Sequence, residues 1–313
     1  MKFLLTGGAG YIGRVMTRAL LAQGHEIRVF DDMLYGNHIT PEPHVEVVIG
    51  DVGDQTLLKK AFVDVDIIIH LAAVVGDEAC SLNAERAVQT NYVSTINLAK
   101  LTSRAKKRLV FFSTCSVYGS SPDSVLSEDA VVGPLSLYAR TKLAAEQRLA
   151  SMDTHHLILR LGTVYGLSPR MRFDLVINRL VAQALHDGRI SVFGGDQFRP
   201  FIHVSDVVSN VLMAIDTEAE GLYNLGGENF AVGEVGQKIK NATGCEIVAY
   251  PENKDPRNYA VDSSKARKTW GGVFRAGIED AVYEIRESFR EGAISSYKEP
   301  IYDNAGWLKL SRS

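Results

Sequence analysis

The chain has 313 residues, 46% apolar and 23% charged, with 34 Lys and Arg against 37 Asp and Glu for a formal net charge of −3. That length, roughly two units of about 150 residues, gives room for a substantial core and excludes a peptide or disulfide mini-scaffold. The near-neutral balance excludes a general attraction to nucleic acid or to an anionic membrane.

Cys80, Cys115 and Cys245 are widely separated, with no CxxC or His-rich spacing, so neither a disulfide framework nor a metal site is expected. The apolar opening Phe3-Leu4-Leu5 is cut short by Gly7-Gly8, too early for a signal peptide, and no later run reaches membrane-spanning length. A soluble protein of the reducing cytoplasm, without membrane or nucleic-acid partner, is the expectation.

In chain order, short β-branched runs at Phe3–Thr6, Ile27–Asp31, Val45–Gly50, Asp66–Leu71, Leu109–Ser113 and Leu157–Arg160 predict strands. Helical periods lie between them near Tyr11–Gln23, Thr56–Phe62, Ala84–Ala105 and Tyr138–Ser151. This alternation predicts an α/β fold of the Rossmann type, a doubly wound parallel sheet covered on both faces. Residues 1–165 are expected to form the dinucleotide-binding domain. Beyond them, Gly and Pro punctuation loosens the rhythm, with helical periods at Phe173–His186, Val204–Thr217, Val232–Thr243 and Ile278–Phe289. Residues 166–313 are expected to form a smaller, mainly substrate-binding region whose chain can cross back to the sheet, ending in a surface arm from about Glu291 to Ser313.

After the first strand comes Gly7-Gly8-Ala9-Gly10-Tyr11-Ile12-Gly13 at a helix start, with Asp31 closing the second strand. Glycines there let backbone N–H groups approach a pyrophosphate, and an acid about twenty residues on accepts from the adenosine ribose hydroxyls. Asp31 would repel a 2′-phosphate, so NAD is favoured over NADP; Arg14 could pair with such a phosphate, with a solvated helix face as its blander reading. Tyr138-Ala139-Arg140-Thr141-Lys142 puts a phenol and an ammonium one turn apart on one helix face. A phenol titrating near pH 10 needs about three units of depression, roughly 4 kcal/mol, to act as a base near neutrality, and an adjacent Lys with a cationic nicotinamide could supply much of it. An exposed helix with an incidental YxxxK is the competing reading. The hydroxyl cluster Ser113-Thr114-Cys115-Ser116, at the end of the fifth strand, weighs against it.

Taken together, these motifs resemble an extended short-chain dehydrogenase/reductase of the NAD-dependent epimerase/dehydratase family, nucleotide-sugar 4-epimerases and 4-dehydrogenases included. The resemblance runs from TGGAGYIG to the SSKA segment at Asp262–Ala266. It implies Tyr138 as catalytic base, Lys142 as the residue that holds the nicotinamide ribose and lowers the phenol pKa, and Thr114 as hydroxyl partner. For the cofactor it implies Gly7, Gly10, Tyr11, Ile12, Gly13 and Asp31, with Asp51 and Val52 at adenine, Leu71, Ala72 and Ala73 along the dinucleotide, and Asn91. For a nucleoside-diphosphate sugar it implies Arg199, whose planar fork suits a diphosphate, and Arg257 as a second candidate. Thr114, Ser116, Thr163, Arg170 and Arg172 complete the candidate substrate set. Arg172 has a blander reading as a partner of Asp174, and Asn91 as a buried structural residue. The SPRMRFDL run and VGDEAC segment resemble a subgroup that includes nucleotide-linked heptose 4-dehydrogenases.

The departures matter as well. Where the 4,6-dehydratases carry Asp-Glu after the threonine, this chain has Cys115-Ser116, so the dehydration proton carriers are missing. His70, His203 and Cys115 read as buried structural residues. The expected enzyme is an NAD-dependent nucleotide-sugar epimerase or dehydrogenase that oxidises a ring hydroxyl at C4. Its rivals are an NAD(P)-dependent reductase of a non-nucleotide carbonyl compound and a non-catalytic dinucleotide sensor. The resemblance also implies a homodimer, with Ala87, Val93, Ile96 and Ala144 as candidate face residues, although the same residues could equally pack on the sheet.

Overall fold

A computed structural model describes residues 1–36, 39, 42–252 and 255–310. Seven parallel strands form the main sheet: β1 (Lys2–Thr6), β2 (Glu26–Asp31), β3 (Val45–Ile49), β4 (Ile67–His70), β5 (Arg108–Thr114), β7 (His156–Leu161) and β11 (Gly221–Leu225). Their order is β11-β7-β5-β4-β1-β2-β3, the doubly wound Rossmann-type arrangement expected. Strand β4 reads Ile67-Ile68-Ile69-His70 and every residue of it is buried, as a parallel strand covered on both faces requires. The winding reverses between β1 and β4, and ligands of such sheets bind outside the carboxyl ends of strands at that switch point.

Smaller pieces complete the C-terminal half. A three-stranded sheet joins β8 (Thr163–Tyr165), β10 (Phe198–His203) and β12 (Glu228–Ala231), and two-stranded pairs join β9 (Arg189–Phe193) with β13 (Glu246–Tyr250) and β6 (Ser120–Leu126) with β14 (Asn258–Val261). Strand β11 pairs with β7 in the main sheet, so the chain does return to it after residue 166.

Two local expectations change. The single helical period Ala84–Ala105 is divided into helices Ala84–Val88 and Thr95–Arg104 by a π-helical turn at Gln89–Ser94. The wider turn points Asn91 inward, where its Oδ1 accepts from Val74 N at 2.8 Å and its Nδ2 donates to Val74 O at 3.0 Å. The C-terminal stretch is also more than a surface arm: Ile294, Ala305 and Leu308 are buried, and a helix spans Asn304–Leu310. Residues 311–313 of the expected arm lie outside the described residues. Of the four candidate dimer-face residues, Ala87 and Ile96 are buried within the chain itself, whereas Val93 and Ala144 are partly exposed.

Candidate active site

A cavity of about 820 Å³ runs over the carboxyl ends of the strands and is lined by residues from both halves of the chain. Its floor is the glycine loop. Gly7 adopts φ +74°, and a Cβ there would stand 2.5 Å from Ala72 N; one on Gly13 would stand 2.5 Å from Gly7 O. Side chains are thus excluded where β1 turns into the helix Tyr11–Ala22, leaving its first N–H groups open to the cavity. Asp31 Oδ2 accepts from Ala9 N at 2.9 Å and Oδ1 from Met33 N at 2.9 Å, so the carboxylate ties the loop after β2 to the glycine turn.

Gly7, Gly10, Tyr11, Ile12, Gly13, Asp31, Asp51, Val52, Leu71, Ala72 and Ala73 all line the cavity. A loop too tight for a Cβ, open helix-end amides and an acid at the end of β2 match the requirements of a dinucleotide. Asn91 is absent from the lining, since its side chain is spent on Val74 and, at 3.3 Å, on Thr141 Oγ1. It supports the wall without touching the cavity. Arg14 is 1% exposed and also absent from the lining, so it offers nothing to a 2′-phosphate here.

Tyr138, Lys142 and Thr114 line the same cavity. Helix Leu137–Ala150 begins at Ser136, whose side chain caps Ala139 N at 3.2 Å, and this places Tyr138 in the first turn and Lys142 one turn on. Lys142 is 2% exposed; its Nζ donates to Phe112 O at 2.9 Å and lies 4.8 Å over the Phe111 ring, so in this structure it is directed to β5. Burial pushes its ammonium down to about 8, against the pull of Cys80 and Glu146. Burial, Cys80 and Asp77 push the Tyr138 phenol up, while Arg172 draws it down. The phenol is therefore neutral at physiological pH until positive charge arrives beside it. Thr114 Oγ1 accepts from Ser116 N at 3.1 Å, which leaves its own proton available for a ligand oxygen.

The Lys142 shift has a stability consequence. Between pH 8 and its ordinary value near 10.5 the unfolded chain holds a proton that the folded chain has released, so this group makes stability rise with pH across that window. Urea unfolding of nucleotide-free protein and of Lys142→Met is expected to diverge there, the parent gaining up to about 1.4 kcal/mol per pH unit over the variant. Parallel pH profiles would refute it.

At the other end of the cavity Arg199 and Arg257 meet around one carboxylate. Arg199 is 5% exposed and reaches Asp255 Oδ1 at 3.0 Å; Arg257 binds Asp255 through Nε at 2.9 Å and NH2 at 2.7 Å. The two guanidiniums hold the Asp255 carboxyl down at about 2 despite its burial. Arg257 also lies 3.3 Å from Ser116 Oγ and 3.4 Å from Asp77 Oδ2. Thr163 lines the cavity between the two ends. Arg172 is bidentate to Asp174, at 3.0 and 2.6 Å, as its blander reading has it, yet it still faces the cavity. Arg170, grouped by sequence with the substrate residues, lies instead on the Asp31 side, 4.7 Å over the Tyr35 ring.

Sequence reasoning missed Asp255, which organises both arginines, although the quoted Asp255-Pro256-Arg257 run contained it. It also missed Tyr35 and Asn304, for which no motif gave a signal. His70 is held by Thr6 and Thr95 hydroxyls and His203 by Ser205 and Glu284, as buried structural histidines are. Cys115 is fully buried, and its Sγ donates to Arg160 O at 3.2 Å.

The model of the NAD dependent epimerase/dehydratase family matches residues 3–226. UDP-glucuronic acid decarboxylase 1 of Xenopus tropicalis is 27% identical over 314 residues, covering 95% of this chain and 75% of that protein. Among solved structures, UDP-glucuronic acid 4-epimerase from Bacillus cereus in complex with UDP-glucuronic acid and NAD is 26% identical at TM-score 0.80, covering 93% and 99% of the two chains. MoeE5 in complex with UDP-glucose and NAD is 28% identical at TM-score 0.80, covering 94% and 100%. No helix among the described residues is long and apolar enough to cross a membrane. With the glycine cradle, Asp31 and the Tyr-Lys pair in one cavity, the chain belongs to the NAD-dependent epimerase/dehydratase family of extended short-chain dehydrogenases/reductases, and its cofactor is NAD.

Proposed function

We propose that this enzyme oxidises the C4 hydroxyl of a nucleoside-diphosphate sugar in the first step of its reaction. The observation that carries the reading is one cavity holding Tyr138, Lys142 and Thr114 between the Asp31 end and the Arg199–Asp255–Arg257 cluster. NAD, when bound, supplies the hydride acceptor. Tyr138 Oη takes the proton of the hydroxyl, Thr114 Oγ1 donates to the same oxygen, and Lys142 adds positive charge beside the phenol. Arg199 and Arg257 bind the diphosphate of the substrate, paired oxygen to paired N–H. Hydride return to the opposite face of the keto sugar gives an epimer; departure of the keto sugar gives net dehydrogenation.

A second outcome of the same first step is favoured by the curated relatives, several of which are UDP-glucuronic acid decarboxylases matching more than nine-tenths of this chain. A uronic acid oxidised at C4 is a β-keto acid, which releases its carboxyl group as CO₂ while the enolate left at C5 takes up a proton. Dehydration is a further outcome to be tested, since dehydratases stand among the structural neighbours; against it, Cys115 and Ser116 stand where the 4,6-dehydratases carry their proton carriers, and Cys115 does not line the cavity.

Incubation with a panel of UDP-, dTDP- and GDP-sugars, uronic acids included, with products resolved by mass, tests the reading and separates its outcomes. An isomer of unchanged mass, a ketone two mass units lighter, and loss of CO₂ mark the three branches. Arg199→Ala is expected to raise KM for the nucleotide sugar about 10–100-fold. Turnover confined to simple carbonyl compounds and indifferent to Arg199 would replace this reading with that of a general reductase. The implied homodimer is checked by sedimentation of the same preparation.

A further inference from the structure

The segment 300–310 lies outside the span matched by the family model, yet Asp303, Asn304 and Ala305 form part of the cavity wall. It is pinned to several elements around the dinucleotide end. Phe173 N donates to Tyr302 O at 2.8 Å, Trp307 Nε1 donates to Leu34 O at 2.7 Å, and Lys309 Nζ reaches Glu78 Oε1 at 2.5 Å. Leu308 packs, 8% exposed, in the cluster that holds Val74 and Cys80. The segment therefore bridges the loop after β2, the helix Asp77–Leu82 and the loop that carries Arg170.

Asn304 is where this strap meets a charge. It is 4% exposed, and its Oδ1 accepts from Arg170 NH2 at 2.7 Å. Arg170 is 3% exposed, faces the cavity, and keeps a buried Nε without a hydrogen-bond partner. Two residues before it, Ser168 Oγ donates to Tyr11 O at 2.7 Å, which fixes this loop against the helix end of the glycine turn. The neighbouring acid Asp174 is already taken by both arms of Arg172. A buried guanidinium with an unused donor, beside open helix-end amides, calls for a partner that the protein itself does not provide.

We propose that Arg170 is a ligand of the cofactor's diphosphate and that Asn304 is the positioning residue that aims it, which makes the C-terminal helix part of the NAD site. The inference rests on NAD dependence and not on the identity of the sugar. Adenosine and ADP separate the diphosphate contact from the rest of the adenosine site, and both are titrated calorimetrically into the full-length protein freed of nucleotide.

Asn304→Ala and Arg170→Gln are expected to weaken ADP about tenfold or more while leaving adenosine within about twofold. Asn304→Asp keeps the acceptor and the side-chain volume, so it is expected to preserve folding even where Asn304→Ala does not. Its charge neutralises Arg170, and ADP again weakens selectively. NADH release, followed by fluorescence, is expected to be faster from Asn304→Asp than from the parent by a factor in step with the loss of ADP affinity. Unchanged ADP affinity in Arg170→Gln and Asn304→Asp would overturn the proposal, as would equal losses for ADP and adenosine, the signature of a packing role alone. Sugar turnover plays no part in these readouts, so failure here and failure of the C4-oxidation reading are separate results.

Discussion

Tyr138→Phe is expected to lower kcat by about 10²–10⁴ with NAD still bound and the nucleotide-sugar KM little changed. The phenol ring contributes packing that phenylalanine reproduces, and only the oxygen proposed to move the proton is lost. Burial holds that oxygen protonated in the nucleotide-free protein, with Cys80 and Asp77 adding to the effect. Its use as a base therefore depends on charge brought in with the cofactor, on Lys142, and on Arg172 nearby. Lowering a phenol from 10 to near 7 takes roughly 4 kcal/mol, which one full charge at short range in a partly dry cavity can supply. Single-turnover reduction of bound NAD by a substrate sugar, read at the NADH absorbance, isolates this step. A variant that retains wild-type single-turnover rates would remove Tyr138 from catalysis. Retained NAD with abolished hydride transfer would also dispose of the idea that the fold serves only to sense the dinucleotide.

The parts of this site that sequence made legible are those where backbone geometry restricts residue choice. Gly7 and Gly13 have to be glycine because Ala72 N and Gly7 O occupy the space of a side chain, and the strand-turn-helix context announces that constraint locally. Tyr138 and Lys142 are legible because one helical turn links them. What was not legible depends on contacts between distant segments. Asp255 gains its role only when β14 and β10 bring Arg257 and Arg199 to it, and Asn304 meets Arg170 across 134 positions of sequence. Asn91 shows how a motif leaves two readings open. Its motif resemblance pointed to the cofactor, but a π-turn directs the side chain at Val74. Arg170 and Arg172, which flank Met171, were grouped by sequence; both line the cavity, and Arg170 lies toward Asp31.

The largest stability effect is expected behind the catalytic helix. Glu146 lies one turn past Lys142, and its carboxylate takes Arg160 Nε at 3.1 Å and NH2 at 2.7 Å, with both side chains 5% exposed. Ser113 Oγ donates to the same carboxylate, Arg160 NH1 donates to Tyr118 Oη at 2.9 Å, and Tyr118 Oη donates to Asn224 Oδ1 at 2.8 Å. This network fastens helix Leu137–Ala150 to β5, β7 and β11, the strands on whose ends the site stands. Glu146→Leu removes the countercharge and leaves Arg160 buried and ionised, at an expected cost of about 3–5 kcal/mol in urea unfolding. Replacing both members, Glu146→Leu with Arg160→Met, is expected to recover much of that loss, since the penalty belongs to the orphaned charge more than to the missing pair. Helix and strand then remain joined by apolar contact, and Lys142 keeps its place against Phe112 O. Equal destabilisation in the single and double variants would show that the hydrogen-bonded network, rather than charge compensation, holds the catalytic helix to the sheet.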